Sequence, residues 1–180
     1  MTVVHIPDPA LVVLVGAAGS GKSTFAARWF TDDEILSADA LRAVIAGDAA
    51  DQRATRPAFA ALHRAVTRRL ASGLTTVVDA TNVERHARQA LLTRAAATGV
   101  PAVAIVLDLP AADVRARNAA RTERVVPAEV VDHHIERLRL VVVPGILEAE
   151  GFRSVTIVRS AAELDRIELD RVSVTPSQPR

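Results

Sequence analysis

The sequence has no cysteine and few aromatic residues, and each scarcity excludes a kind of site. Without cysteine, its 180 residues form neither disulfide bonds nor thiolate metal sites. Aromatic residues make up only 3% of the chain, so we expect a core of Val, Leu, Ile and Ala. Platforms of stacked bases, which need aromatic faces, are not expected.

Long apolar segments and targeting signals are also missing. No run approaches the roughly 20 apolar residues that span a bilayer. The first ten residues, MTVVHIPDPA, lack the basic segment and apolar stretch of a signal peptide. The sequence therefore predicts a cytoplasmic protein that makes no membrane contact.

Charge of one sign is not in excess, since the net charge is only +1. Total charge alone therefore gives no reason to expect a polyanionic partner. The basic residues are nevertheless uneven, because 22 Lys and Arg include a single lysine, Lys22. A compact ammonium and a planar guanidinium are not interchangeable, so this one exception marks a position where the ammonium is needed.

About half of the residues are hydrophobic, and the length suits one domain over residues 1–180. We expect its core at about residues 10–160 and a Pro-containing tail over residues 173–180. Apolar runs predict strands at residues 11–15, 34–37, 75–78, 102–107 and 155–158. Helical patterns fall at about residues 22–30, 39–46, 55–72, 84–98, 111–120, 127–140, 144–150 and 161–167, with a loop over residues 47–55.

This alternation predicts an α/β fold in which a five-stranded parallel sheet carries helices on both faces. One motif refines the prediction to a kinase-like P-loop NTPase with a helical lid. It matches G-x-x-x-x-G-K-[ST] between a predicted strand and a predicted helix, and comprises Gly16, Gly19, Ser20, Gly21, Lys22 and Ser23, followed by Thr24. Glycines let backbone N–H groups face phosphates, and the helix N-terminus adds positive charge. Lys22 then bridges the β- and γ-phosphates of ATP, and Ser23 offers its hydroxyl to Mg²⁺.

An acceptor site needs a group that orients the attacking hydroxyl. Asp39 follows the second predicted strand, at the edge of the sheet where ligands of open α/β folds bind. Arg42 is three residues further and shares a helical face with it. The carboxylate then accepts a proton while the guanidinium holds a phosphate. The alternatives are a helix N-cap for Asp39 and a solvated face for Arg42.

Two more polar residues follow the third predicted strand. Asp79 would hold a Mg²⁺-bound water or orient a catalytic arginine, and both Asp79 and Asn82 would contact substrate. The alternative is a turn in which Asn82 caps the next helix.

A group of arginines, Arg117, Arg121 and Arg124, lies in or after the predicted helix at residues 111–120. As a lid they would contact the donor phosphates and stabilise charge during transfer. Arg115 is a less well placed neighbour. The alternative is a solvated face in a chain rich in arginine. His133 and His134 have no third ligand at suitable spacing, so we expect surface or partly buried histidines.

These segments, in this order, resemble the kinase module of bacterial polynucleotide kinase–phosphatase RNA-repair enzymes, which is similar to phage polynucleotide 5′-kinase. The likeness covers roughly residues 10–160. Its segments are GAAGSGKSTFA, Asp39-x-x-Arg42, residues 51–55, residues 77–82, residues 104–110, Arg117-Asn118 with Arg121, and residues 150–152.

The resemblance implies that Asp39 is the general base on a 5′-hydroxyl and that Arg42 contacts the phosphate 3′ to the terminal nucleoside. It implies lid contacts to the donor phosphates for Arg117 and Arg121. Residues 122–127 match least well, and the phosphatase of the bifunctional enzymes is absent from this sequence.

The sequence therefore predicts an ATP- and Mg²⁺-dependent polynucleotide 5′-hydroxyl kinase acting on RNA or DNA ends in repair. Phosphatase or ligase domains or proteins are expected partners, and the oligomeric state is left open. Two alternatives stand beside it. One is a kinase of a small metabolite or nucleotide sugar, including zeta-toxin-like proteins, and the other is a nucleotide-binding module without catalysis.

Overall fold

The structure is a computed structural model that describes residues 2–46, 55–122 and 125–174. Within these ranges the strands are β1 (Thr2–Asp8), β2 (Leu11–Gly16), β3 (Ile35–Ser37), β4 (Thr76–Asp79), β5 (Ala102–Leu107), β6 (Ser154–Val158) and β7 (Ile167–Ser173). The helices are α1 (Lys22–Trp29), α2 (Ala38–Ala46), α3 (Thr55–Ala71), α4 (Arg85–Thr98), α5 (Ala111–Ala119), α6 (Ala128–Val141), α7 (Ile146–Glu150) and α8 (Ala161–Asp165).

The main sheet has five parallel strands in the order β3-β4-β2-β5-β6, which confirms the predicted sheet. Every residue of β2, β4 and β5 is buried. Central strands covered on both faces favour apolar residues, and this is why β2 and β5 read as continuous runs of Val, Leu, Ile and Ala, while β4 is apolar only at Val77 and Val78. The predicted α/β kinase-like fold is therefore correct.

A second, two-stranded sheet pairs β1 with β7 in parallel, and the sequence reading missed it. Each strand has too few apolar residues to stand out, and β1 ends next to prolines. Ile6 and Ile167 are nevertheless buried, so the core extends beyond residues 10–160 at both ends. The helix predicted at residues 161–167 ends at Asp165, since Ile167 already belongs to β7.

Several other expectations concern segment ends. The tail predicted from residue 173 begins inside β7, and residues 175–180 lie outside the described residues. The loop predicted over residues 47–55 also falls outside them, apart from Thr55 at the start of α3. Among the described residues, no helix is long and apolar enough to cross a membrane.

Parallel strands place their carboxyl ends at one edge of the sheet, and ligands of open α/β folds bind there. In this fold, the loops after β2, β3 and β4 and the helices after β5 and β6 therefore meet at that edge. Residues 16–24, 38–42, 79–82 and 117–121 come from four separate parts of the chain and lie around it.

Candidate active site

A cleft of about 680 Å³ opens at this edge of the sheet. Most of the predicted site residues line it, although they come from four separate segments. They are Gly19, Gly21, Lys22, Ser23, Thr24, Asp39, Arg42, Asp79, Arg117 and Arg121. The tertiary fold thus brings the two predicted halves of the site into one cavity.

The phosphate-binding loop owes its shape to two glycines. Gly19 has φ 89°, and a Cβ there would lie 2.5 Å from the carbonyl oxygen of Val114 in α5. Gly21 has φ 94° and is the N-cap of α1, where no side chain caps the helix and no acidic residue occupies the first turn. The first N–H groups of α1 therefore have no competing side-chain acceptor, as an anion site requires.

Lys22 begins α1, and its side chain is almost fully buried in this loop. Its Nζ donates to the carbonyl oxygens of Gly16 at 2.9 Å and Ala17 at 2.8 Å. Burial lowers the pKa of Lys22 to about 8, against the opposing effect of the Asp79 carboxylate. A cation held by two backbone carbonyls at the start of a helix fits a phosphate ligand, which would restore its full charge.

Two residues of the motif support the loop and do not line the cleft. The Gly16 N–H donates to the carbonyl of Thr81 at 3.0 Å, which joins the loop to the segment after β4. Ser20 is completely buried, and its Oγ lies 3.5 Å from Nζ of Lys22. Their predicted contact with nucleotide therefore has no support in this geometry.

Asp39 and Arg42 form an ion pair in the same cleft, with 2.7 Å between Oδ1 and Nη1. The Arg42 side chain is only 8% exposed, whereas that of Asp39 is 45% exposed. The N-cap alternative for Asp39 is excluded, because the Ser37 Oγ accepts from the Ala40 N–H and Asp39 lies within the first turn of α2. A fixed guanidinium thus stands beside an accessible carboxylate.

Asp79 ends β4 and is paired in register with Ser37 at the end of β3. It is buried at 7% exposure, lines the cleft and lies close enough to Lys22 to raise the pKa of that ammonium. A carboxylate and the Ser23 hydroxyl are oxygen donors of the kind that Mg²⁺ prefers. The described residues contain no cluster of three His, Cys, Asp or Glu, and Mg²⁺ needs none where phosphates and water complete its shell.

Asn82 does not line the cleft, so its predicted substrate contact has no support. Its side-chain amide is buried and donates to the carbonyl oxygens of Leu14 at 2.8 Å and Ala80 at 3.3 Å. Its φ of 49° allows this turn. It does not cap α4 either, since Glu84 occupies the N-cap position. Asn82 therefore braces the turn after β4 against β2.

Arg88 supports the same turn and was not identified from the sequence. Its guanidinium donates to both carboxylate oxygens of Glu150 at 2.7 Å and to the carbonyls of Asn82 and Val83. Both side chains of the ion pair are at most 5% exposed. The pair fixes the turn that leads from Asp79 to α4, and helical spacing alone does not distinguish Arg88 from exposed arginines.

The lid arginines reach the cleft from α5 and the segment after it. Arg117 lies in α5, with Nη1 3.7 Å from the place where a Cβ on Gly21 would stand. Arg121 also lines the cleft, although α5 ends at Ala119. Arg124 lies outside the described residues. Arg115 points elsewhere and pairs with Asp132 at 2.7 Å.

Asn118 fixes the segment that carries Arg121. Its buried amide donates to the Val126 carbonyl at 2.7 Å and accepts from the Val126 N–H at 3.1 Å. This closes the loop between α5 and α6. Glu84 holds α6 itself, since its carboxylate accepts two hydrogen bonds from Arg137 at 3.0 Å.

Several other residues line the cleft and were not predicted from the sequence as site residues. Phe59 of α3 and Val130 of α6 supply apolar walls, and His134 lies beside them. Leu164 and Asp165 of α8 line the cleft as well. His133 instead lies 3.3 Å from Glu84. Apolar residues at helical spacing are mostly core residues, so no sequence signal separates Phe59 and Val130 from the rest.

A family model described as AAA domain matches residues 11–144. A chain of the Pnkp1/Rnl/Hen1 RNA repair complex superposes with TM-score 0.63 at 23% identity, over 75% of this chain and 45% of that chain. A sugar kinase from Janibacter sp. HTCC2649 superposes with TM-score 0.56 at 23% identity, over 84% and 85% of the two chains. A gluconokinase from Sinorhizobium meliloti 1021 superposes with TM-score 0.51 at 21% identity, over 89% of this chain and 94% of that chain.

No curated protein matches this chain significantly in sequence. The chain spans less than half the length of the repair-complex chain, whereas it spans most of the two small kinases. At these identities the likeness shows a shared kinase-like P-loop fold.

Proposed function

The chain belongs to the AAA domain family, and from that premise we propose that it is an ATP-dependent polynucleotide 5′-hydroxyl kinase that acts on RNA or DNA ends in repair. The observation that carries this proposal is the Asp39–Arg42 pair, which shares one cleft with Lys22 of the phosphate-binding loop. A nucleotide-binding module without catalysis has no need of a carboxylate and guanidinium at the acceptor end.

The donor end holds the triphosphate of ATP. The N–H groups at the start of α1 and the ammonium of Lys22 bind the β- and γ-phosphates. Arg117 and Arg121, on the other wall, stabilise the charge that develops on the transferred group. Ser23 and, through water, Asp79 would hold Mg²⁺, which would supply neutralisation of the phosphate charge.

At the acceptor end, the oxygen of the 5′-hydroxyl forms a bond to the γ-phosphorus, and Asp39 accepts the proton that this hydroxyl loses. The bond from phosphorus to the β–γ bridging oxygen breaks, and ADP leaves. Arg42 holds the phosphate 3′ to the terminal nucleoside, so the hydroxyl is aligned with the donor. Its low exposure limits its motion, which suits a positioning role.

Apolar walls favour a nucleic-acid end over a sugar. Phe59 and Val130 line the cleft that also holds the Asp39–Arg42 pair, and their apolar side chains suit contact with a base, although a single aromatic residue forms no stacking platform. A polyhydroxylated sugar would leave its hydroxyls without partners against these side chains.

A second candidate is a kinase of a small anionic metabolite. The observation in its favour is length, because the chain covers most of a gluconokinase and of a sugar kinase. Arg42 suits a carboxylate as well as a phosphate.

The polynucleotide proposal also includes association with phosphatase or ligase proteins. It is supported by the similarity to a chain of an RNA repair complex.

The test is incubation with γ-labelled ATP, Mg²⁺ and matched RNA and DNA oligonucleotides that carry a 5′-hydroxyl, beside gluconate and a 5′-phosphorylated oligonucleotide. We expect label on the 5′-hydroxyl strands alone, and none with Asp39→Asn. Label on gluconate with none on either strand would refute the polynucleotide proposal and establish the second candidate.

A further inference from the structure

The net charge of the chain is near zero, but the charged residues are distributed unevenly over the fold. Helices α3 and α4 pack side by side and contain seven arginines and no acidic residue. Residues 128–173 contain nine acidic residues and six arginines. Arg88 is buried in its pair with Glu150, and the exposed arginines of the two helices are Arg56, Arg64, Arg68 and Arg85. A polyanion therefore meets a more basic surface on α3 and α4 than the net charge of the chain predicts.

Three of these arginines form a stripe on the solvent face of α3. Arg56, Arg64 and Arg68 are exposed, on the side of the helix opposite the buried Leu62 and Val66. They are spaced at multiples of four residues, so the stripe extends about 18 Å along the helix axis. Because each four-residue step turns the position by about 40° round the helix, Arg64 and Arg68 lie nearly in line and Arg56 lies about 80° round from Arg64. The three cations thus follow a slanted path along α3, which is suited to a chain of phosphates that crosses the helix.

The three stripe arginines have no carboxylate partner among the described residues, a property that they share with other exposed arginines such as Arg28, Arg139 and Arg153. Elsewhere in the described residues, Arg115 pairs with Asp132 and Arg159 lies 3.9 Å from Asp108. No ion pair to Arg56, Arg64 or Arg68 occurs among the described residues. Their charges are therefore not neutralised within that part of the chain.

The stripe begins at the acceptor end of the cleft. Phe59, one turn from Arg56, lines the cleft together with Asp39 and Arg42. The remainder of α3 runs away from the cleft towards Ala71, from which the chain enters the opposite end of β4. A strand whose 5′ end lies at Asp39 therefore leaves the cleft beside the first arginine of the stripe.

We propose that Arg56, Arg64 and Arg68 bind the phosphates of the acceptor strand beyond its terminal dinucleotide, so that the substrate is a polynucleotide strand and not a mononucleotide. This inference rests on the proposed function. Binding is electrostatic and independent of sequence, because arginines that contact phosphates carry no base information. It releases counterions and weakens as salt increases.

The experiment compares a 5′-hydroxyl dinucleotide with an oligonucleotide of about a dozen nucleotides. We expect Arg64→Gln with Arg68→Gln to raise KM for the long acceptor roughly tenfold at low salt and to leave KM for the dinucleotide unchanged. The slope of log KM for the long acceptor against log salt should fall by about 1.4, which is about 0.7 for each lost contact with a single strand. The control is Arg139→Gln with Arg153→Gln, an equal loss of charge at exposed sites outside the cleft.

Binding of a fluorescent oligonucleotide, followed by anisotropy, separates the two proposals. Product on the dinucleotide together with unchanged KM and affinity for the long strand in the α3 variant would overturn the stripe and leave the kinase intact. Equal loss on both acceptors, or equal loss in the control variant, would also overturn it. Binding that depends on Arg64 and Arg68 without phosphorylation of any 5′-hydroxyl would support the stripe and refute the kinase.

Discussion

The donor and acceptor halves of the cleft are built in different ways. The donor half is largely backbone, shaped by Gly19 and Gly21 over a few consecutive residues and completed by Lys22. The acceptor half consists of side chains from α2, α3 and the end of β4. A loop that binds phosphate through its backbone N–H groups needs one particular backbone conformation. An acceptor site needs only a few side chains in suitable positions. In the proposed function, the first half is therefore general, and we expect the second to decide specificity.

The largest expected effect is at the donor half, in Lys22→Ala. We expect turnover to fall by about 10³-fold or more, because the ammonium that bridges the transferred phosphate is lost. Turnover with labelled ATP measures this. Thermal unfolding is measured beside turnover, because the variant also leaves the carbonyl oxygens of Gly16 and Ala17 without this donor. Turnover above about a tenth of the wild-type value would contradict the assignment of Lys22.

The next largest effect is at the acceptor half, in Asp39→Asn. Turnover should fall by about 10² to 10⁴ with every acceptor, because the amide accepts no proton, while ATP affinity stays unchanged. Single-turnover kinetics and a nucleotide-binding titration check the two parts. Asp32→Asn, at an exposed position outside the cleft, is the matched control. If ATP affinity fell as well, the two halves would not be separable in function.

A smaller effect is expected for Arg42→Gln. The KM for a dinucleotide acceptor should rise by about 10- to 100-fold, because one charged hydrogen bond to its phosphate is lost. Use of a free nucleoside, which has no such phosphate, should change little. The ratio of kcat/KM for the two acceptors measures this. An equal loss on both would show that Arg42 acts mainly by orienting Asp39.

The smallest effect lies outside both halves, at the Glu34–Arg171 pair that joins β7 to the turn before β3. Two hydrogen bonds from Arg171, at 2.6 and 2.8 Å, lower the pKa of Glu34 to about 2. Because the folded-state pKa lies below the unfolded value, this stability is complete above about pH 4.5 and is lost as pH falls towards 2. After allowance for solvent screening at Arg171, we expect the ionised Glu34 to contribute about 1–2 kcal/mol to the free energy of unfolding.

Glu34→Gln should remove that pH dependence and leave turnover at neutral pH unchanged. Urea unfolding between about pH 2 and pH 5 measures the first, and steady-state kinetics the second. A loss of turnover would show that the β1–β7 sheet influences the cleft, and the contrast between the two halves would then be incomplete.

The local sequence was sufficient to predict the structure of those segments whose conformation depends mainly on their own residues. The sheet, the loop and most helices were predicted because buried strands are continuously apolar and the P-loop motif prescribes its own backbone. Strands β1 and β7 were missed because each gains its burial from pairing with the other, across more than 160 residues. No local pattern reports such a pairing.

The candidate site divides in the same way. Asp39 and Arg42 were predicted from a three-residue spacing that already places them on one face of a helix. Asn82 was predicted to bind substrate, but its amide braces β2, since only the packed turn decides where that amide points. Phe59 and the buried Arg88–Glu150 pair depend on contacts between distant elements, and neither was identified from the sequence.

The sequence by itself determined the fold class, the phosphate-binding loop and the Asp39–Arg42 pair, because each rests on hydrogen bonds or periodicity within a few residues. The tertiary structure alone decided which side chains share the cleft, which arginines are buried and which arginines form the exposed stripe on α3. Those properties depend on where separate elements pack, and the free energy of packing is not encoded in any single segment.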